Sequence, residues 1–249
     1  MTSAVNFTIR PGGVLRGEVV VPGDKSISHR FVMLASIALG ESCARGFLEG
    51  DDALATVAAF RAMGVRIDGP HDGNIRVQGV GMNGLSAPNT VLDMGNSGTA
   101  MRLMSGLLSG QPFNSTLIGD ESLSQRPMRR IIDPLALMGA RISSAAQGRP
   151  PLQIEAAARA LQAIDYQMPI ASAQVKSCVL FAGLYADGIV SVREPAPTRD
   201  HSERMLGAFG KRVDVTAGHV SMHGGGPLHA QNIVIPADIS SAAFFLVGA

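Results

Sequence analysis

The chain has 249 residues, room for one large domain or two small ones. Hydrophobic residues at 46% and charged residues at 16% supply a core and exclude a disordered chain. Lys+Arg 21 against Asp+Glu 20 leaves a net charge of +1, which excludes a generally basic nucleic-acid binder. Nine Phe, two Tyr and no Trp argue against a stacking platform for single strands. Cys43 and Cys178 stand apart, with neither a CxxC nor a Cys/His cluster, so no disulfide framework or zinc site is readable. Apolar runs such as 31–39 and 178–186 are too short to span a bilayer, and the N-terminus lacks a basic-then-apolar signal pattern. The expectation is a cytoplasmic protein with no membrane and no nucleic-acid partner.

The predicted elements repeat. Three stretches, 24–67, 95–142 and 170–213, share one plan: small polar residues, an apolar helix, a short strand, a turn, a second helix and a further strand. Gly64, Gly139 and Gly210 each follow a helical pattern, where a left-handed residue ends a helix. In the first copy Asp51 or Asp52 is placed to cap the second helix. In the second, Pro127 suits a first helical turn, and Pro134 is expected to kink or split that helix. Strand pairs are expected at 65–69 with 74–78, 140–143 with 152–154, and 212–216 with 219–223. The fold class is α/β (α+β), three β-α-β-α-β-β repeats around a pseudo-threefold axis. A fourth copy begins in ADISSAAFFLVGA (237–249), which predicts that the chain is the front part of a longer protein.

Three first helices open near Ser26, Ser97 and Ser172. Exposed N–H groups and the macrodipole make each opening an anion site, and a threefold arrangement would bring the three to one face. PGDKSISHR (22–30) puts Lys25 at a helix mouth and Arg30 about one turn in. Lys25 is one of only three lysines among 21 cations. Ser26 either caps the helix or bonds a ligand, and His29 reads as structural. GNSGTAMR (95–102) is a tight turn into a helix and not a Walker loop. Gly98 leaves room for a ligand to touch backbone. Arg102 either faces back toward the opening or forms a surface salt bridge.

In DESLSQRPMRR (120–130) the proline after Arg126 biases that arginine to an extended conformation, while Arg129 and Arg130 read as solvated. MPIASAQVK (168–176) places Ser172 and Gln174 at the third mouth and leaves Lys176 free to face either way. PAPTRDH (195–201) sets Thr198 and Arg199 before another helix, with Asp200 and His201 as cap and surface residues. No paired carboxylates, nucleophile–His–Asp set or metal cluster is evident. The inventory favours small, multiply charged anions.

These strings, with ADISSAAFF, resemble the EPSP synthase (3-phosphoshikimate 1-carboxyvinyltransferase) family of the bacterial type, in its order and over essentially the whole chain. UDP-N-acetylglucosamine enolpyruvyltransferases share the repeat architecture but carry Lys-Asn where this chain has Lys25-Ser26. The resemblance implies one domain of a two-domain enolpyruvyltransferase fold, an inside-out α/β barrel. Residues 1–22 and 237–249 would belong to a second domain and 23–236 would be the complete three-repeat domain.

It further implies transfer of the enolpyruvyl group of phosphoenolpyruvate to the 5-hydroxyl of shikimate 3-phosphate, with no cofactor, by a protein that is monomeric at full length. Lys25 would touch both substrates. Ser26, Arg30, Ser172, Gln174 and Arg199 would hold shikimate 3-phosphate, with Ala173 contributing backbone where many relatives have serine. Asn96, Gly98, Arg126 and Gln174 would hold phosphoenolpyruvate, and Arg102 is a further candidate. The proton-transfer groups would lie in a C-terminal half beyond residue 249, so these residues alone would bind without turnover. The alternatives are an isolated phosphoshikimate-binding domain without turnover and a relative of the UDP-N-acetylglucosamine enolpyruvyltransferases.

Overall fold

A computed structural model describes Thr8, Gly12, Gly13 and residues 16–248. The expectation for residues 1–22 therefore falls largely outside the described residues. The first unit comprises α1 (Lys25–Ser36), β1 (Ala38–Arg45), α2 (Asp51–Ala62), β2 (Arg66–His71) and β3 (Asn74–Val80). The second comprises β4 (Leu92–Asp93), α3 (Gly98–Leu108), β5 (Ser115–Ile118), α4 (Glu121–Ser124), α5 (Arg129–Leu137), β6 (Ile142–Ala145) and β7 (Arg149–Ile154). The third comprises β8 (Leu161–Gln162), β9 (Asp165–Gln167), α6 (Ala173–Gly183), β10 (Ala186–Asp187), β11 (Ile189–Arg193), α7 (His201–Ala208), β12 (Asp214–Thr216) and β13 (His219–His223). Two short strands, β14 (Leu228–His229) and β15 (Asn232–Val234), lead to α8 (Ile239–Gly248).

The helices α1, α3 and α6 are the centre of the molecule. They are buried over almost their whole length, as their near-continuous apolar sequence requires. Helices α3 and α6 cross closely at Gly106, where a β-carbon would lie 2.2 Å from the Cys178 carbonyl oxygen. Each unit wraps its own sheet around this trio. The strand orders are β4-β5-β7-β6 in the second unit and β12-β13-β11-β9 in the third. Alternating burial in β3, β7 and β13 turns one sheet face inward.

The three units differ in where one strand of the sheet comes from. In the second and third units the strand before the first helix pairs in parallel within its own sheet, β4 with β5 and β9 with β11. In the first unit that place is taken by β15, which pairs in parallel with β1. The partner thus comes from the far end of the chain and closes the ring of units. Beside it the chain passes twice through one narrow crossing. Gly23 bridges Ala237, Asp24 N donates to the Pro236 carbonyl at 2.8 Å, and Asp238 N donates to the Pro22 carbonyl at 2.9 Å.

Local expectations fare unevenly. Gly64, Gly139 and Gly210 take φ of +87°, +89° and +89°, the left-handed conformation that ends a helix. Neither Asp51 nor Asp52 caps α2. Gly50 holds the N-cap position, and the two carboxylates sit in the first turn, where they face the positive end of the dipole. Pro134 does not split its helix, since α5 runs through it. The break falls instead at 125–128, around the Arg126–Pro127 step. No described helix is long and apolar enough to cross a membrane.

Candidate functional site

The three central helices start 73 and 75 residues apart, at Lys25, Gly98 and Ala173, and each has a side-chain cap in the same place. Asp24 accepts from Ile27 N at 2.8 Å, Ser97 from Ala100 N at 3.1 Å, and Ser172 from Val175 N at 3.4 Å. Ser26 is therefore not the cap of α1, because the preceding aspartate occupies that role and Ser26 lies inside the helix. Its carbonyl accepts from Arg30 Nη1 at 2.8 Å.

Side chains one turn into each helix tie the three openings together. His29 of α1 reaches the cap of α3, with Nε2 3.1 Å from Ser97 Oγ and Nδ1 2.7 Å from Thr56 Oγ1. Arg102 of α3 donates to Gln174 Oε1 of α6 at 2.7 Å, and the Gln174 amide donates to Thr99 Oγ1 at 2.9 Å. Arg30 of α1 donates to Ser177 Oγ of α6 and to Ser202 Oγ of α7, both at 2.7 Å. First unit to second, second to third and third to first, the contacts close a ring, so the three N-termini share one face.

The ring is buried and its charges are perturbed by that burial. His29 is held neutral, its pKa pushed down to about 3 by desolvation against the pull of Asp52, with Arg30 and Lys25 adding to the depression. One ring nitrogen donates and the other accepts, as a structural histidine requires. Burial also lowers Arg30 to about 10, opposed by Glu203 and Asp24, with Arg199 adding to the depression. Arg30 keeps one N–H on each terminal nitrogen after its three internal bonds.

Arg102 is not a surface salt bridge. It is 5% exposed, no carboxylate lies within ion-pair distance among the described residues, and its Nε has no partner. Burial, then Arg130 and Arg126, lower its pKa to about 10. It is a buried cation without a local counter-charge.

Around this ring stand the other predicted residues. Lys25, half exposed, pairs with Asp52 at 2.8 Å, and its backbone N–H points to Asp238 at 3.4 Å. Those carboxylates and Asp24 offset the cost of a cation at a helix N-terminus. Arg126 donates to Asn96 Oδ1 at 2.6 Å, and the Asn96 amide donates to Asp120 at 2.8 Å. Asp120, which also caps α4, is held below the usual carboxylate range first by Asn96 and then by Leu123 N.

Gly98 lies between the two arginines. A β-carbon there would sit 2.7 Å from Arg102 Nη1 and 3.3 Å from Arg126 Nη1. Ala173 opens α6, and its carbonyl accepts from Ser177 Oγ at 2.6 Å. Arg199 is exposed on the loop before α7 and makes no hydrogen bond or ion pair among the described residues. It is close enough to Arg30 to depress that guanidinium.

Sequence reading missed three features. Lys176 faces inward and pairs with Glu194 at 3.0 Å and Glu203 at 2.6 Å. His201 is half-buried, and desolvation and then Arg30 lower its pKa, so it belongs to the rim of the site. Asp200 sits at the N-cap position of α7 but pairs with Arg204 at 2.6 Å, with no capping bond. An i, i+4 count from Asp200 to Arg204 carried that last signal. The first two had none, because both depend on which elements meet.

The family model described as EPSP synthase (3-phosphoshikimate 1-carboxyvinyltransferase) matches residues 9–249. A 3-phosphoshikimate 1-carboxyvinyltransferase of Hydrogenovibrio crunogenus is 58% identical over all of this chain and 57% of its own length. One of Alkalilimnicola ehrlichii is 61% identical over 98% of this chain and 55% of its own. The solved EPSP synthase of Acinetobacter baumannii superposes with a TM-score of 0.89 at 57% identity, covering 94% of this chain and 52% of that one. The chain thus spans somewhat more than half the length of the curated relatives it matches. The helix-centred arrangement, with one larger sheet in each unit, is that of an enolpyruvyltransferase domain, and the chain belongs to the EPSP synthase family.

Proposed function

We propose that this chain supplies one wall of an active site that transfers the enolpyruvyl group of phosphoenolpyruvate to the 5-hydroxyl of shikimate 3-phosphate. The observation that carries this reading is the ring of three helix N-termini with Lys25, Arg102, Arg126 and Arg199 at or beside its face. Aligned N–H groups and cations that no carboxylate fully neutralises favour two multiply charged anions.

In the assigned roles, Lys25 lies between the two substrates. Ser26, Ser172, the Ala173 backbone, Gln174, Arg30 and Arg199 hold shikimate 3-phosphate. Asn96, Gly98, Arg126 and Gln174 hold phosphoenolpyruvate, with Arg102 behind Gly98. The 5-hydroxyl gives up its proton as its oxygen bonds to C2 of phosphoenolpyruvate, and C3 gains a proton to become a methyl group. Loss of one proton from that methyl and of inorganic phosphate from the tetrahedral adduct restores the alkene. Fixed cations stabilise the phosphate as it leaves, and orientation by this wall brings the hydroxyl to C2. The proton-transfer groups are assigned to the second wall.

The double crossing at 22–24 and 236–238 supports a domain of 23–236, with 1–22 and 237–249 assigned to a second domain. A cytoplasmic, monomeric enzyme without cofactor completes the reading. Calorimetric titration of the chain with shikimate 3-phosphate tests it. Saturable binding by the folded chain is expected, and a folded chain that gives none overturns the assignment. Phosphate release with both substrates should require a chain of the relatives' full length.

A further inference from the structure

Behind the third helix mouth lies a second polar cluster, whose Lys176, Glu194, Glu203 and Thr198 have no place in the roles above. Lys176 is in the first turn of α6 and is 1% exposed. Its ammonium holds two carboxylates at once, Glu194 just after β11 and Glu203 in the first turn of α7. The free oxygen of Glu194 accepts from Thr198 Oγ1 at 2.6 Å, and Glu194 N donates to the Gly218 carbonyl at 2.9 Å. Ser202, beside Glu203, accepts from Arg30 Nε and donates to Ser177 Oγ, each at 2.7 Å. One ammonium therefore fastens the end of β11, the 194–200 loop and the start of α7.

Within this cluster the charges balance, since Lys176 and Arg30 against Glu194 and Glu203 sum to zero. Arg199, next to Thr198, keeps an uncompensated charge in solvent. Desolvating a lysine and two glutamates is unfavourable by itself, so net stability is a poor reason for their presence. Such a cluster does hold one backbone geometry, because every alternative leaves a buried charge unpaired.

We propose that Thr198 is a positioning residue for Arg199. Its hydroxyl links the loop to a carboxylate that Lys176 immobilises, and this aims the Arg199 guanidinium at the phosphorylated ligand before the ligand arrives. Pre-ordering the loop lowers the entropy lost on binding. The inference rests on the reading that this face binds shikimate 3-phosphate.

The test is a double-mutant cycle on the chain, read by calorimetry with shikimate 3-phosphate and by thermal melting. Thr198→Val keeps the shape and removes the donor. It should weaken binding about tenfold, the scale of one charge-assisted hydrogen bond. Thr198→Ser should restore most of the affinity. In an Arg199→Ala background, Thr198→Val should cost nothing further, because the residue through which it acts is gone. Unchanged affinity in Thr198→Val, or the same loss with and without Arg199, overturns the proposal. A loss of affinity that tracks a lower melting temperature in both backgrounds also overturns it. If the unaltered chain is folded and does not bind the ligand at all, the functional reading itself fails, and this positioning role falls with it.

Discussion

Gly98 is the residue whose substitution has the most local reading. Its φ needs no glycine, so the constraint is space, and the occupants are two guanidinium ends. Those ends are mobile in principle, but Arg102 is bonded to Gln174 and Arg126 to Asn96. Gly98→Ala should therefore leave the fold intact and displace both arginines. Phosphoenolpyruvate affinity should fall by at least about tenfold, with a smaller loss for shikimate 3-phosphate through Gln174. Paired titrations of the two ligands in an active full-length enzyme check this, and equal losses would place the effect elsewhere.

Lys25→Met should abolish binding of both anions at little cost in stability. The Lys25–Asp52 pair is partly exposed, and such pairs contribute about 0–1 kcal/mol. A melting temperature unchanged within error beside lost calorimetric binding is the expected result. His29 gives a pH signature instead. Its folded pKa of about 3 lies below the unfolded value of 6.5, so between the two the unfolded chain binds the extra proton. Its contribution is fully present above pH 6.5 and is lost as pH falls, by about 1.4 kcal/mol per unit within that window. Denaturant unfolding at pH 7 and pH 5 should show the loss, and His29→Gln should reduce the slope.

At the scale of elements, the central helices depend on their caps as well as on their apolar faces. Ser97 receives Ala100 N and also meets His29, so it both starts α3 and joins the first unit to the second. Ser97→Ala removes the cap and leaves a buried imidazole nitrogen without its partner. The expected loss is about 1–3 kcal/mol in chemical denaturation, above that of an isolated exposed cap. The short helix α4 illustrates the opposite case. Four residues long and capped by Asp120, it serves to present Arg126 and Asn96 to one another and buries only Leu123.

At the scale of the molecule, closure of the ring of units is the decisive feature. Parallel pairing of β15 with β1 ties the end of the third unit to the start of the first. Helix α8 contributes no buried residue, with Phe244 at 83% and Val247 at 88% exposure. Removing residues 239–249 should leave the melting temperature of the chain unchanged. Removing 228–249 should lower it sharply and speed amide exchange in β1, whose parallel partners β14 and β15 are lost while β3 remains. Exchange measured by mass spectrometry on both truncations distinguishes these outcomes, and equal melting temperatures would deny β15 its closing role.

The three-unit plan, the helix starts, the left-handed glycines at their ends and the family were all legible in the sequence. Those follow from local chemistry: capping residues, periodic apolar side chains, glycine where φ is positive, and motif strings in a fixed order. Lys25, Gly98, Arg126, Gln174 and Arg199 stood out as candidates because each stands at a helix mouth along the chain. Whether Arg102 and Lys176 face in or out stayed open, since one turn of helix presents every direction and only the packed neighbour selects one. Ser26 stayed open between cap and ligand contact, and the cap expected at Asp51 or Asp52 falls on Gly50, because backbone geometry decides which residue near a helix start takes the cap position. The closing strand of the first unit comes from residues about 190 positions away. The contacts His29–Ser97, Arg102–Gln174 and Arg30–Ser177 likewise span units. Those pairings exist only after three helices have been brought together by burial of their apolar surfaces, so no local pattern along the chain could announce them.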